Sequence, residues 1–214
     1  MCFSKSYFKT YFANFLADFD EESYQTHKER KEKLFHDVRG KVLEIGPGTG
    51  VNYEFLNSLS VEWFGIEPNE AMHPFLNRKA RNNGFKPVYL SGTSEVIGAE
   101  DARFDFVIST EVLCSVENVD QTLSEILRVL KPGGQFLFLE HVVDQRNPWR
   151  KFLQKGVIYT PWIWYADGCH PARDLVGDIE NAGFSETSIE EYMQEGKGVI
   201  QMINRPHIVG RATK

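Results

Sequence analysis

Three glycines at alternating positions follow a short apolar run early in the chain. The run covers residues 41–45, and Gly46, Gly48 and Gly50 come directly after it. Glycine lets the backbone turn tightly and approach a ligand closely. A helix that begins just after such a turn presents free N–H groups that can bind an anion. The turn therefore predicts a site for an anionic group, and a plain tight turn is the alternative.

An acidic residue ends the next apolar run of the sequence. Glu67 closes the run at residues 61–67, about 20 residues after the glycine turn. A carboxylate in this position can accept hydrogen bonds from both hydroxyl groups of a ribose. Glu44, inside the first run, could bind an ammonium group of the same ligand, directly or through water. For Glu67 the alternative is an ordinary solvated carboxylate at the end of a strand.

Two further segments are candidates for the same ligand-binding site. Residues 91–95, Ser-Gly-Thr-Ser-Glu, form a small-residue turn on which an adenine ring could lie flat, or a turn capped by Thr93 or Ser94. Residues 104–110 are an apolar run, and ligands of open α/β sheets bind where such strands end. The candidate cofactor-binding residues are Glu44, Gly46, Gly48, Gly50, Asn52, Glu67, Pro68, Gly92, Thr93, Ser94, Thr110 and Glu111.

The apolar runs alternate with helical patterns along the chain. Strands are predicted over 41–46, 61–67, 87–90, 104–110, 135–142, 186–191 and 199–210, and helices over 52–59, 68–82, 119–130 and 172–182. This alternation predicts a Rossmann-like α/β fold, with a mostly parallel seven-stranded sheet and helices on both faces. Helical patterns over 3–19 and 21–36 predict an N-terminal helical lid. We therefore predict a helical extension at 1–37 and the α/β domain at 38–214.

The spacing of the glycines bears on the type of cofactor. A dinucleotide would present its pyrophosphate to the turn, and S-adenosylmethionine would present its amino-acid carboxylate. Val51 stands where a dinucleotide-binding turn carries its third glycine, which favours S-adenosylmethionine. Over residues 38–142 the chain resembles the class I S-adenosylmethionine-dependent methyltransferases. The resemblance rests on Glu-Ile-Gly-Pro-Gly-Thr-Gly, Gly-Ile-Glu-Pro-Asn, Gly-Thr-Ser-Glu and Leu-Lys-Pro-Gly-Gly, which occur in that order.

A narrower resemblance covers nearly the whole chain. Segments 4–8, 112–116, 140–142, 167–169 and 205–214 look like those of the methyltransferase-like alkyl thiol methyltransferases. This resemblance implies that the methyl acceptor is a small aliphatic thiol. Many animal members carry an apolar N-terminal segment that anchors them to a membrane, and this chain starts where that anchor would end. The resemblance therefore leaves membrane contact open.

Two residues are candidates for catalysis. A thiol must react as the thiolate, and only a few per cent of a thiol with a pKa near 8.5 is ionised at pH 7. His141, at the end of a predicted strand, is the first candidate for assisting deprotonation, with a simple hydrogen-bonded role as the alternative. Asp167 lies in a segment that should close over the acceptor. Cys114 is interpreted as a buried, inert residue.

The composition excludes some classes of protein. The 214 residues carry a net charge of −6, which argues against a general nucleic-acid-binding protein. The three cysteines include no CxxC pair, so neither a disulfide framework nor a metal site is predicted. We find no run of roughly 20 apolar residues that would span a membrane, and we expect a cytoplasmic protein.

Several alternatives remain open from the sequence. The aromatic residues of 3–19 could pack against the domain, roof the acceptor pocket or lie on a membrane surface. The same fold could methylate an oxygen or nitrogen acceptor, such as a quinone or a lipid precursor. A non-catalytic protein that binds the cofactor or a lipid surface is the third possibility.

Overall fold

The computed structural model describes residues 5–195 and 199–214, and Cys2 and Phe3 lie outside this range. Its main feature is a twisted central sheet. Within the described residues, the strands are β1 Gly40–Ile45, β2 Val61–Ile66, β3 Val88–Tyr89, β4 Gly92–Thr93, β5 Val96–Ile97, β6 Phe104–Thr110, β7 Leu130–His141, β8 Glu186–Met193 and β9 Pro206–Thr213.

Seven of these strands form one mixed sheet. Its order in the described part of the chain is β3-β2-β1-β6-β7-β9-β8, and β4 pairs with β5 in a separate hairpin. All strands from β3 to β7 in this order pair in parallel, whereas β9 is antiparallel to both β7 and β8. The predicted mostly parallel seven-stranded sheet is thus confirmed.

Helices cover both faces of the sheet. They are α1 Lys5–Phe35, α2 His73–Asn82, α3 Val119–Val129, α4 Pro148–Val157, α5 Trp162–Tyr165, α6 Leu175–Asn181 and α7 Val199–Ile203. Side chains of β1 alternate between the faces, as a strand requires. Leu43 and Ile45 join a buried cluster with α3 and α6, whereas Val42 packs with residues of α1 and α2.

Three predicted elements differ in the structure. The two predicted N-terminal helices are one continuous helix, because no glycine or proline interrupts α1. The helix predicted at 52–59 is a 3₁₀ turn, Val51–Phe55, and the Asn57 side chain accepts a hydrogen bond from Leu59 N in the turn that follows. Residues 199–203 are helical, and the last strand starts only at Pro206. A short apolar run is compatible with either element.

The aromatic face of α1 is only partly covered. Tyr11 and Phe8 pack edge-on against Tyr165 of α5, with ring centroids 5.9 and 5.2 Å away. Phe15 and Phe19 contact each other and keep more than a third of their surface exposed. Among the described residues, no helix has an apolar stretch long enough to cross a membrane.

Candidate active site

The glycine turn joins β1 to the 3₁₀ turn that follows. Gly46, Gly48 and Gly50 all have a positive φ, at 57°, 56° and 89°. At Gly46 a Cβ atom would also lie 2.7 Å from Cγ2 of Val112, which leaves no room for a side chain. The tight turn and close approach expected from the sequence are therefore built into the backbone.

Glu67 lies beside this turn, just after the end of β2. Its Oε2 accepts a hydrogen bond from Gly48 N at 2.9 Å, and its Oε1 accepts one from Asn69 N at 2.8 Å. Burial raises the pKa of Glu67, against the opposing effect of these two hydrogen bonds. The carboxylate thus holds the glycine turn against the end of β2, where hydroxyl groups of a ligand could also reach it.

Glu44 and Asn52 form a buried pair behind the turn. Glu44 accepts hydrogen bonds from Asn52 Nδ2 at 2.7 Å and from Trp63 Nε1 at 2.8 Å. Asn52 Nδ2 also donates to Thr110 Oγ1 at 2.9 Å. Burial raises the pKa of Glu44, which is 1% exposed. Because it is buried and hydrogen-bonded to Asn52 and Trp63, Glu44 orients Asn52 and is not itself exposed to a ligand.

The predicted adenine turn forms the β4–β5 hairpin. Gly92 has a φ of 109°, and a Cβ there would lie 2.0 Å from the carbonyl oxygen of Val96. Gly92 and Thr93 are exposed, and Ser94 is buried. The hairpin follows β3, the neighbour of β2, so it lies at the sheet edge where Glu67 also lies.

Helix α1 crosses the sheet edge at which the glycine turn, Glu67 and the β4–β5 hairpin lie, and the space between these elements is the cleft. Lys9 Nζ donates to the carbonyl oxygen of Pro68 at 3.2 Å, and Asn69 Nδ2 donates to the carbonyl oxygen of Lys9 at 3.2 Å. Further along the helix, Asp20 accepts a 2.5 Å hydrogen bond from Thr49 Oγ1 and pairs with Lys79 at 2.9 Å. The predicted helical lid therefore contacts both the glycine turn and the segment after β2.

Removing the Asp20 carboxylate should loosen this lid. The Asp20 and Lys79 side chains are each 17% exposed, so their pairing is less screened than a surface ion pair. We expect Asp20→Ala to weaken S-adenosylmethionine binding by about fivefold to tenfold, from the loss of about 1 kcal/mol. Calorimetric titration measures this effect, and Asp18→Ala, an exposed change on the same helix, is the control. Equal affinities of both variants would show that the Asp20 contacts do not hold the lid.

Glu111 lines the cleft at the end of β6. It has a φ of 57°, its side chain is 44% exposed, and its Oε1 lies 3.5 Å from His207 Nε2. Desolvation alone would raise the pKa of Glu111, but the hydrogen bond to His207 and the charges of His27 and His207 hold it below its usual range. Burial in turn lowers the pKa of His27 to about 4. Glu111 is therefore an ionised group that faces the cleft.

His141 meets two cysteines beneath Glu111. Ligand atoms of Cys114, His141 and Cys169 all lie within 4.8 Å of one another, and Cys169 Sγ is 3.3 Å from His141 Nε2. All three residues are buried. Burial alone would lower the pKa of His141, but the Cys114 thiolate and the Glu111 carboxylate raise it to about 9. A hydrogen bond from Cys169 and the charge of His141 lower the pKa of Cys114.

Glu140 braces the loop that carries Cys114. It accepts hydrogen bonds from Ser109 Oγ at 2.6 Å, from Val112 N at 3.2 Å and from Leu113 N at 3.1 Å. Burial raises the pKa of Glu140 to about 8. These contacts tie the end of β6 to the end of β7 and so fix the position of Cys114 relative to His141.

The structure brings most of the predicted site residues to one edge of the sheet. Asp167 accepts a hydrogen bond from Asn69 Nδ2 at 3.4 Å, so it lies beside the segment that follows Glu67. The contributions of Asp20, His27, Glu140 and His207 were not predicted from the sequence, and neither was the proximity of the two cysteines. No sequence pattern links Cys114 and Cys169, because distant parts of the chain supply them.

Comparisons with known proteins identify the family of the chain. A family described as "Methyltransferase domain" matches residues 43–138. The thiol S-methyltransferase TMT1B of Rattus norvegicus is 32% identical, over 96% of this chain and 87% of its own length. The thiol S-methyltransferase TMT1A of Homo sapiens is 31% identical over the same shares of the two chains.

A solved structure shares the fold. It is a methyltransferase from Thermotoga maritima described as S-adenosylmethionine-dependent and as a possible histamine N-methyltransferase. The similarity covers 95% of this chain and 98% of that one, with a TM-score of 0.63 and 23% identity. At this level of identity the comparison supports the sheet order and the helical layers, and it does not address the acceptor.

Proposed function

Because the chain belongs to the class I S-adenosylmethionine-dependent methyltransferases, we propose that it methylates the sulfur of a small thiol. The enzyme class and the cofactor follow from the family. The thiol acceptor is supported by the similarity, over 96% of the chain, to relatives named as thiol S-methyltransferases. The buried cluster of His141 with Cys114 and Cys169 supports it further, because a protonated histidine beside an acceptor thiol would favour its thiolate form.

The residues present fit S-adenosylmethionine. Glu67 offers a carboxylate for ribose hydroxyls, and the glycine turn allows close approach of the amino-acid part. Asn52 Oδ1 is buried and has no hydrogen-bond partner among the described residues, so it can accept a bond from an ammonium group. When bound, the cofactor supplies a methyl carbon that is activated by a positively charged sulfur.

The protein's own contribution is to favour the thiolate and to exclude water. With a pKa raised to about 9, His141 carries a positive charge at neutral pH and stabilises a nearby thiolate. Ala166 and Trp162 pack against the two cysteines of the cluster and shield it from solvent. A thiolate is a strong nucleophile, so orientation and desolvation suffice for transfer and the reaction needs no covalent enzyme intermediate.

A panel of acceptors tests this proposal directly. We expect purified protein to transfer labelled methyl groups from S-adenosylmethionine to small aliphatic thiols, at least tenfold faster than to phenols or amines of similar size. The measurement is the initial rate for each acceptor at equal concentration. Faster transfer to a phenol or an amine would replace the thiol with an oxygen or nitrogen acceptor, while cofactor binding without any transfer would favour a non-catalytic role.

A further inference from the structure

The cluster of Cys114, His141 and Cys169 has the chemistry of a metal site. Two sulfur atoms and one imidazole nitrogen lie within 4.8 Å of one another, and the closest pair, Cys169 Sγ and His141 Nε2, is 3.3 Å apart. In a tetrahedral zinc site with Zn–S near 2.3 Å and Zn–N near 2.0 Å, ligand atoms lie about 3.5–3.8 Å apart. The three side chains thus need only small shifts to bind one ion.

Rigid parts of the fold carry the three residues. His141 is the last residue of β7, in the middle of the sheet, and Cys114 follows β6 in a loop that Glu140 braces. The backbone N–H of His170 donates to the carbonyl oxygen of Cys114 at 2.9 Å, which fixes the segment of Cys169 against that loop. A preformed geometry of this kind lowers the cost of ordering a site on binding.

The polar groups of the cluster are incompletely satisfied. Cys114 Sγ accepts a hydrogen bond from Cys169, and its contacts with the carbonyl oxygen of Glu111 at 3.7 Å and with Ser115 Oγ at 3.5 Å are weak. His141 Nδ1 and the neighbouring Trp162 Nε1 are buried without a hydrogen-bond partner among the described residues. Buried polar groups are normally paired, and an ion bound by the two sulfur atoms and Nε2 of His141 would give the weakly paired sulfur of Cys114 a strong partner.

We propose that Cys114, His141 and Cys169 bind a zinc ion whose fourth position takes the sulfur of the methyl acceptor. Two thiolates and a neutral imidazole balance the charge of Zn²⁺, so the loaded site can be buried without a net charge. Three protein ligands with one open position are typical of catalytic zinc sites. Cys114 contacts the backbone of Glu111, whose side chain is 44% exposed, so the cluster lies directly behind a residue at the carboxyl end of β6.

The role of the fourth position rests on the proposed thiol acceptor. A thiol that coordinates zinc loses its proton, which passes to water as the thiol enters the site and before the site is closed to solvent. An electron pair of the acceptor sulfur then forms the new bond to the methyl carbon, and the bond from that carbon to the cofactor sulfur breaks. Its electrons stay on the cofactor sulfur, which becomes neutral. In that case His141 would act as a ligand of the zinc ion, and the zinc ion would favour the thiolate, not a charge on His141.

Cobalt binding tests the site independently of activity. Titration of the metal-free protein with Co²⁺ should give a thiolate-to-cobalt charge-transfer band and the visible spectrum of tetrahedral cobalt, and both should disappear when Zn²⁺ is added. Cys114→Ser and Cys169→Ser should each lose the charge-transfer intensity of one thiolate. Cys2→Ser, which removes the third cysteine, should keep the spectrum. An unchanged charge-transfer band in both cluster variants would overturn the site.

Two controls keep the result decisive. His27, Glu111 and His207 also lie close enough to share an ion, so His207→Gln must leave the cobalt–thiolate band intact. If the cysteine variants fail to fold, X-ray absorption at the zinc edge of the unaltered protein counts sulfur ligands directly, and we expect two. Absence of sulfur ligands would refute the proposal.

Measurements of thiol turnover distinguish failure of the zinc site from failure of the proposed thiol acceptor. Removal of the metal should abolish most thiol methylation, and added Zn²⁺ should restore it. Thiol turnover that is unchanged in fully metal-free protein would overturn the activating role of zinc but keep the thiol acceptor. A protein that binds cobalt through both thiolates but methylates no thiol would keep the metal site and refute the acceptor.

Discussion

Glu67→Ala is expected to weaken S-adenosylmethionine binding by roughly 100-fold, and by tenfold at the least. The carboxylate is placed to accept hydrogen bonds from two ribose hydroxyls, and a bond to a charged group contributes about 1.5–3 kcal/mol. It also holds the glycine turn through Gly48 N and the next segment through Asn69 N. The substitution therefore removes ligand contacts and loosens the turn, and calorimetric titration with the cofactor measures the sum.

Two variants separate the causes of this loss. Glu67→Gln keeps the size of the side chain and one acceptor oxygen, so we expect an intermediate affinity. Glu62→Ala removes an exposed carboxylate from the same strand and should leave binding unchanged. An affinity of Glu67→Ala within twofold of the unaltered protein would exclude Glu67 from the cofactor site.

Glu67 also makes the affinity for the cofactor depend on pH. Because burial raises the pKa of Glu67, the carboxylate takes up a proton at a higher pH than an exposed glutamate does. Cofactor affinity of the unaltered protein should therefore fall on acidification, and Glu67→Ala should lack this part of the fall.

The cofactor side of the site could be predicted because its residues are local to strand ends. Gly46 follows one apolar run and Glu67 ends the next, and parallel strands bring such positions to one edge. The apolar runs and the glycine spacing therefore suffice. The short 3₁₀ turn after Gly50 was not predicted: the helical pattern continues to residue 59, but the backbone becomes extended at Leu56.

The acceptor side could not be predicted in the same way. Cys114 and Cys169 are more than fifty positions apart, and only the folded path of the loop before α6 brings them to His141. The contacts of the N-terminal helical lid could not be predicted either, for a related reason. Asp20 and Lys9 lie in a polar, charged helix, where such side chains are normally solvated. Long-range packing alone selects these two as contacts with the cleft.

His141→Gln is expected to reduce thiol methylation about 10–30-fold at pH 6.5 and no more than about twofold at pH 9.5. At pH 6.5 about 1% of a free thiol with a pKa near 8.5 is ionised, and a neighbouring positive charge lowers such a pKa by about 1–3 units. The pKa of His141, about 9, keeps it positively charged in the metal-free protein at pH 6.5. At pH 9.5 most of the acceptor ionises unaided, so the loss disappears.

The pH profile distinguishes this role from a structural one. If His141 only supported the packing of the cluster, its replacement would reduce kcat/KM by the same factor at every pH. His36→Gln, which changes a histidine whose side chain is 65% exposed, controls for general effects of a histidine substitution. A zinc ion held by His141 would shift the profile in the same direction, because it also favours the thiolate at low pH. The pH profile therefore tests whether His141 promotes ionisation, and the cobalt spectrum tests whether it does so through a metal.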